Sequence, residues 1–274
     1  MSESITVRRA LEQSGLIPVD ARALLSHVTG RDRAWLIAHA NEPLARLEAD
    51  RFFALAKRRR EGEPVAYLVG RREFWGLDLV VTPAVLIPRP ETETLVEAAL
   101  ARLPADRPLR ILDLGSGSGA IALALARERP RAQVVGTDVS PDALAVAVSN
   151  AQRLGVTNVE FLRADWFAGV PDGRFDAIVS NPPYVADGDA HLCEGDLRFE
   201  PRVALAPGGD GFAALNAIVF GASRHLTAGG LLIVEHGHDQ SVPVQAMFGT
   251  AGFDGITPLR DLAGILRVVT GRNP

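Results

Sequence analysis

A chain of 274 residues that is 47% hydrophobic has enough apolar material for one large core or two smaller ones. Its formal charge of -4 argues against a protein that wraps nucleic acid through overall positive charge, and its single cysteine, Cys193, excludes an internal disulfide or a thiolate metal cluster. No stretch reads as a signal peptide or approaches the roughly 20 apolar residues that cross a bilayer, so a reducing, cytoplasmic setting is expected. The charge is uneven: residues 1–72 carry 13 Lys or Arg against 9 Asp or Glu, leaving 16 against 24 for the rest.

The first 60 residues read as short helices. Ile5, Val7, Leu11 and Leu16, then Ala21, Leu24, Leu25 and Val28, recur at helical spacing, punctuated by Gly15, Gly30 and Asn41-Glu42-Pro43. The run Lys57-Arg58-Arg59-Arg60 closes the last of them, where cations suit the helix dipole. It reads either as a solvated helix end or as a contact for an acidic partner or RNA. Around Gly76 an alternating stretch predicts a strand pair that stops at Pro88 and Pro90, a hairpin connector between two domains. The expected division is 1–72 helical, 73–90 connector and 91–274 for the rest.

From Glu91 a helix leads into repeated strand-helix units. Strands are expected at Arg110 to Leu114, Gln133 to Thr137, Val159 to Leu162, Phe175 to Ser180 and Leu231 to Glu235, with closing strand signals near Ile256 and from Leu266 to Val269. Helices are expected at Ile121 to Arg129, Asp142 to Leu154 and Ala213 to His225. This alternation implies an α/β domain with a mostly parallel sheet covered on both faces.

The segment "ILDLGSGSGAIALALA" is strand, glycine loop, helix. Its glycines permit a sharp turn and close approach to a ligand, and the amides opening the helix are expected to donate to it. Asp138, ending the next strand, has the carboxylate to accept ribose hydroxyls, so a nucleoside is implied. Gly115, Gly117 and Ala120 also satisfy the relaxed dinucleotide fingerprint. Asp113, two residues before the loop, would repel a pyrophosphate but could face a cationic ligand, while "ADWF" offers Asp165 for an exocyclic amine and Trp166 as a wall for a purine. These features favour S-adenosylmethionine over NAD.

"SNPPYV" follows the fourth strand of the domain, on the side where open α/β sheets bind ligands. Its prolines donate no hydrogen bond, so carbonyl oxygens are left free; Asn181 adds a side-chain acceptor and Tyr184 a flat face. Two acceptors on a planar NH2 group would push electron density toward its nitrogen, so positioning and electrostatics suffice for methyl transfer. His225, His236 and His238 lack the companions of a metal site, and Cys193 lacks those of a nucleophile. In "GDLRFEP", Arg198 and Glu200 read as anchors of a loop over the substrate or as a buried ion pair.

The sequence resembles the bacterial methyltransferases that modify the glutamine side chain of peptide-chain release factors. The likeness runs over essentially the whole chain: "RRREGEPVAYLVGRREFWGLDL", "LIPRPETE", "DLGSGSGAIALALA", "DWF", "SNPPYV", "GDLRFEPRVAL" and "LLIVEHG". "GSGSG" has serines where threonines are frequent in the family. The resemblance implies a Rossmann-like S-adenosylmethionine-dependent domain behind a small helical bundle. It also implies cofactor contacts from Gly115, Ser116, Gly117, Ser118, Gly119, Asp138, Trp166 and Asn181, and catalytic roles for Asn181 and Tyr184. Substrate contacts fall to Asn181, Pro182, Pro183 and Tyr184, with no metal. The expected product is N5-methylglutamine in the Gly-Gly-Gln tripeptide of a release factor, made by a monomer. Rival readings are an adenine-N6 or guanine-N2 methyltransferase, an NAD-dependent oxidoreductase and a non-catalytic adaptor.

Overall fold

A computed structural model of the chain describes residues 5–206 and 208–274; residues 1–4 of the expected first domain lie outside them. The chain divides into two compact units. The first takes the chain up to Arg71 together with Glu194–Phe199, and the second takes Arg72–Cys193 and Glu200–Pro274. Among the described residues no helix is long and apolar enough to cross a membrane.

The first unit holds α1 (Val7–Gln13), α2 (Pro18–Thr29), α3 (Arg33–Ala38), α4 (Arg46–Arg60) and α5 (Val65–Val69). Local chemistry sets the helix ends. Pro18 opens α2, where a missing amide costs nothing, and Asp32 caps α3 by accepting from Trp35 N at 2.7 Å. One stripe of each helix closes on Val7, Leu24, Leu25, Leu36 and Phe52. The basic run at the end of α4 is largely spent inside this unit, which corrects its reading as a free contact. Arg59 bridges Asp20 and Asp196 at 2.7 Å each, Arg58 pairs with Glu63, and Arg60 donates to Ser14 O at 2.5 Å. Lys57 and Arg58 keep more than half of their side chains in solvent. Arg198 donates to Glu61 O, and its guanidinium covers the Phe199 ring; a side chain at Gly62 would run into it.

The second unit begins with the hairpin β1 (Arg71–Phe74) and β2 (Leu77–Val80), followed by a 3₁₀ turn at Pro90–Thr92 and α6 (Glu93–Leu100). Then come β3 (Leu109–Leu114), α7 (Ala120–Glu128), β4 (Ala132–Asp138), α8 (Pro141–Leu154), β5 (Val159–Arg163) and β6 (Phe175–Ser180). The chain ends with α9 (Ala213–Ala222), β7 (Leu226–Glu235), α10 (Ser241–Thr250), β8 (Asp254–Arg260) and β9 (Leu266–Arg272). The seven strands lie in the order β5-β4-β3-β6-β7-β9-β8. The first five pair in parallel, and β9 joins β7 and β8 antiparallel.

Alternation along the buried strands feeds two cores. Ile111, Val134 and Val179 meet α6 and α7 on one face, while Leu112, Ile178 and Leu232 meet α9 and α10 on the other. The hairpin expected as a connector belongs to the first of these cores: Phe74, Leu77 and Leu79 are buried in it. Alternation reveals a strand pair but not what its apolar face covers.

Asn150, fully buried on α8, ties this arrangement together. Its Oδ1 accepts from Val80 N at 2.7 Å, and its Nδ2 donates to Val80 O at 3.0 Å and Ser118 O at 2.9 Å. One side chain therefore holds both the hairpin and the glycine loop. Replacing it leaves one amide and two carbonyls without this partner, a buried group costing about 1–3 kcal/mol when left unpaired and a part-buried one less. Asn150→Ala is expected to lower unfolding stability by roughly 2–4 kcal/mol, as measured by chemical denaturation.

Candidate active site

The strand order reverses at β3, because β4 and β5 follow on one side of it and β6 on the other. Ligands of open α/β sheets bind at such a switch, outside the carboxyl ends of the strands. A cleft opens there. Gly115 and Gly117 line it after β3, Asp138 and Ser140 after β4, Asp165 and Trp166 after β5, and Asn181 and Pro183 after β6. Ala84, Val85 and Leu86 from the stretch after β2, with Pro201, Val203 and Ala204, complete the wall. The last two groups were not anticipated from the sequence, since nothing in an apolar residue on an irregular segment marks it as a ligand contact.

Gly115, Gly117 and Gly119 all adopt positive φ, at 74°, 54° and 82°, a region that other residues enter with strain. Four of the loop's five amides, however, are already bonded within the protein. Gly115 N and Ser116 N both donate to Thr137 O at 2.8 Å, Gly119 N donates to Ser116 O at 2.8 Å, and Gly117 N donates to Asp138 Oδ2 at 2.9 Å. Its contribution to the cleft is the absence of side chains. Ser116 and Ser118 are buried and do not line the cleft. Gly119 sits behind it, where a side chain would meet Phe161 at 2.9 Å.

Asp138 stands at the floor with each carboxylate oxygen fixed, Oδ2 by Gly117 N and Oδ1 by Ser140 N at 2.9 Å. Each oxygen keeps a lone pair for a ligand. Trp166 adopts φ 48°, a left-handed conformation rare for a bulky residue, which sets its indole against the cleft. Among the described lining residues there is no Lys, Arg or His, while Asp138 and Asp165 carry negative charge. Such a wall suits a neutral nucleoside with a cationic tail and is unsuited to a pyrophosphate.

The Asn-Pro-Pro-Tyr turn presents its parts unequally. Asn181 and Pro183 face the cleft; Pro182 is buried. Asn181 Nδ2 donates to Thr92 Oγ1 at 3.0 Å, and among the described residues no donor reaches Asn181 Oδ1 or the main-chain carbonyls of residues 181–183. Tyr184 does not line the cleft. Its ring packs against the core between the sheet, α9 and α10, and its hydroxyl donates to Glu235 Oε1 at 3.2 Å. Burial and the neighbouring Glu235 push the phenol well above its ordinary range. Gln240 Nε2 donates to Tyr184 O at 3.0 Å and holds the end of the turn.

Two further expectations find a different place. Asp113 faces no ligand: it is fully buried, and its Oδ2 accepts from Ala122 N at 3.2 Å inside α7. Arg198 and Glu200 do not pair. Glu200 is buried, bonded to Arg89 and accepting from Ile87 N at 2.9 Å, so it clamps the stretch that lines the cleft. Among the described residues no His, Cys, Asp and Glu cluster is arranged to hold a metal ion.

Comparison with known proteins follows the same division. Residues 105–249 match the family model for a methyltransferase domain, and residues 6–70 match the PrmC N-terminal domain. The chain is 52% identical to the release factor glutamine methyltransferase of Xylella fastidiosa (strain Temecula1), over 93% of each chain. It is 48% identical to that of Escherichia coli (strain K12), over 92% of this chain and 91% of the relative. A methyltransferase structure from Pyrococcus furiosus shares the fold, with a TM-score of 0.55 at 18% identity over 79% of this chain and 96% of the other.

The buried Asp113 carries a thermodynamic signature. Burial pushes its carboxyl up from 3.8 to about 7, against the opposing pull of the Ala122 amide. A folded-state value above the unfolded one means that the folded chain binds the proton more tightly, so this contribution is full at low pH and is lost as pH rises toward about 7. Asp113→Asn keeps an acceptor for Ala122 and removes the charge. Its stability relative to the wild type is expected to rise with pH between about 4 and 7, by a few kcal/mol at most, in denaturation curves taken across that range. A difference independent of pH would contradict the assignment.

Proposed function

We infer the working of this site from one premise: the chain belongs to the release factor glutamine methyltransferase family, on its two family-model matches and its full-length relatives. It is an S-adenosylmethionine-dependent enzyme that methylates a glutamine side chain of a release factor. We assign the cofactor to the cleft at the carboxyl ends of β3, β4 and β5. The donor set fits it: Asp138 has spare lone pairs for ribose hydroxyls, Trp166 offers a flat wall for a purine, and Gly115 and Gly117 leave room for close approach. When bound, this cofactor supplies an electrophilic methyl group on a sulfonium, which passes to nitrogen as the carbon-sulfur bond breaks and its electron pair returns to sulfur.

The observation that carries the reading is the state of Asn181. Its Nδ2 is committed to Thr92, so its Oδ1 is the free end of the amide. A glutamine amide brings two N–H donors on one planar nitrogen. We assign one hydrogen to Asn181 Oδ1 and the other to a main-chain carbonyl of the turn, since those of residues 181–183 accept no hydrogen bond from the described residues. Two acceptors in fixed positions hold the nitrogen in place, draw its electron density out of conjugation with the carbonyl and orient the lone pair. Once nitrogen gains the methyl group it sheds one hydrogen as a proton. Prolines at 182 and 183 stiffen the turn, so little reorganisation is needed.

The substrate glutamine is assigned to the Gly-Gly-Gln tripeptide of a release factor, and the helical first unit, which matches the family's N-terminal domain model, to partner recognition. Incubation with methyl-labelled cofactor and a purified release factor, followed by peptide mapping, is expected to place the label on that glutamine. Asn181→Ala is expected to cut kcat roughly 100- to 1,000-fold while the chain stays folded. Label on a nucleic-acid base, or undiminished turnover by Asn181→Ala, would overturn the assignment.

A further inference from the structure

Part of the cleft wall is built from irregular chain. Ala84, Val85 and Leu86 follow the hairpin, and Pro201, Val203 and Ala204 lie on the long excursion between β6 and α9, around a short 3₁₀ turn at Arg202–Ala204. All six are apolar. Such a wall keeps its shape only where its backbone finds fixed partners. Val85 N donates to Thr82 O at 3.1 Å, and Leu205 O accepts from Val185 N at 3.0 Å. Neither bond joins one segment to the other.

Glu200 does join them. It immediately precedes Pro201, its side chain is completely buried, and its two oxygens are divided between two donors. Oε2 accepts from Ile87 N at 2.9 Å, and Oε1 is bonded to the Arg89 guanidinium. Ile87 directly follows Leu86, so the carboxylate stands one residue from each wall segment although the two are 113 positions apart in the chain. An acceptor-only group suits this place, because donors converge on it from two directions. For stability alone, apolar side chains of similar volume would serve as well as a buried ion pair. What they would not supply is direction: two hydrogen bonds on one planar group fix the spacing and the angle of the segments they join.

We propose that Glu200, together with Arg89, is a positioning residue for cofactor retention: its carboxylate sets the spacing of the two apolar segments, so that the wall they form is shaped before the cofactor arrives. The inference rests on the assignment of S-adenosylmethionine to this cleft. An uncharged wall neither orients an amide nor stabilises developing charge; it covers the nucleoside and carbon chain of a ligand and slows escape. Two segments already joined lose less freedom on binding than two that move independently, and the gain appears mainly as slower dissociation. Neither bond to Glu200 involves the Asn-Pro-Pro-Tyr turn, so the acceptors for the substrate nitrogen do not depend on them.

The test compares Glu200→Gln, Arg89→Met and the two together. Glu200→Gln keeps the volume and an acceptor for Ile87 N but sets an amide N–H group against the guanidinium, and Arg89→Met removes the cation. Cofactor affinity is measured by calorimetry, dissociation by displacement of labelled S-adenosylmethionine, and methyl transfer to a release factor as kcat and KM, with melting temperature as a control for folding. Each single variant is expected to bind cofactor roughly 10- to 100-fold more weakly, through faster dissociation. At saturating cofactor, kcat is expected to stay within about threefold of the wild type, with the release-factor KM little changed. The double variant is expected to lose no more than the weaker-binding single one, since both substitutions break the same interaction. Arg89 keeps 31% of its side chain in solvent, so Arg89→Met carries the test should Glu200→Gln fail to fold. Folded variants with wild-type cofactor affinity, a lowered melting temperature with dissociation unchanged, or a double variant that adds the two losses would each overturn the proposal. A wild-type protein that binds no S-adenosylmethionine in the calorimeter would instead sink the cofactor assignment beneath it.

Discussion

The site depends on a matter of register. Leu114, the last residue of β3, is paired with Thr137 of β4 on one side and with Ser180 of β6 on the other. The residues that follow these three are Gly115, Asp138 and Asn181, so the glycine loop, the acid and the amide all leave the sheet at the same level. Because side chains alternate along a strand, a slip of one residue would turn every core residue of the slipped strand to the opposite face. The two apolar cores therefore fix the register, and the register fixes the site. Burial of Ile111 and Leu112 on opposite faces of β3 is in this sense a condition for chemistry two residues beyond the strand.

Around that level the protein uses its own polar groups to stiffen the cleft. Amides of the glycine loop are consumed by Thr137 and Asp138, and Asp138 is in turn held at both oxygens. Asn150 takes the Ser118 carbonyl from behind, and Glu200 pins the segment after β2. A ligand entering the cleft meets groups whose conformational freedom has already been removed by folding, so less entropy is lost on binding. The glycines matter because they occupy no volume where the ligand must pass, and because their left-handed backbone brings Gly117 N onto Asp138.

The central strands and the glycine loop were legible because buried parallel strands are apolar runs and their loops are punctuated by glycine, so Phe175–Ser180 stands out at once. Helix α10 was missed: Pro243 in its first turn and Gly249 near its end read as breakers, yet proline is tolerated where the amide has no helical partner. The Lys57–Arg60 run was ambiguous for a different reason. Asp20 and Asp196, the partners of Arg59, lie far away in sequence, and no local pattern announces them. Asp113 was misplaced because a strand residue near a loop can point either way, and here it points into the helix that follows. Thr92 lay within the recognisable motif "LIPRPETE", but its meeting with Asn181 is a product of tertiary structure alone.

Asp113 and Glu235 invite comparison, since burial pushes both carboxyls to about 7 and each leaves one oxygen without a partner. A perturbed carboxyl is a candidate for function, yet burial alone also perturbs acids that merely organise backbone. The hydrogen-bond partners separate the two cases. Asp113 accepts from a main-chain amide within α7, a bond that any acceptor of similar size would satisfy. Glu235 accepts instead from the side-chain hydroxyl of Tyr184, the residue that ends the Asn-Pro-Pro-Tyr turn. The bond at Asp113 stays within α7, whereas the bond at Glu235 anchors the end of the turn that brings Asn181 and Pro183 to the cleft. That difference in connectivity, with depth of burial equal, assigns one acid to the scaffold and the other to the machinery around the Asn-Pro-Pro-Tyr turn.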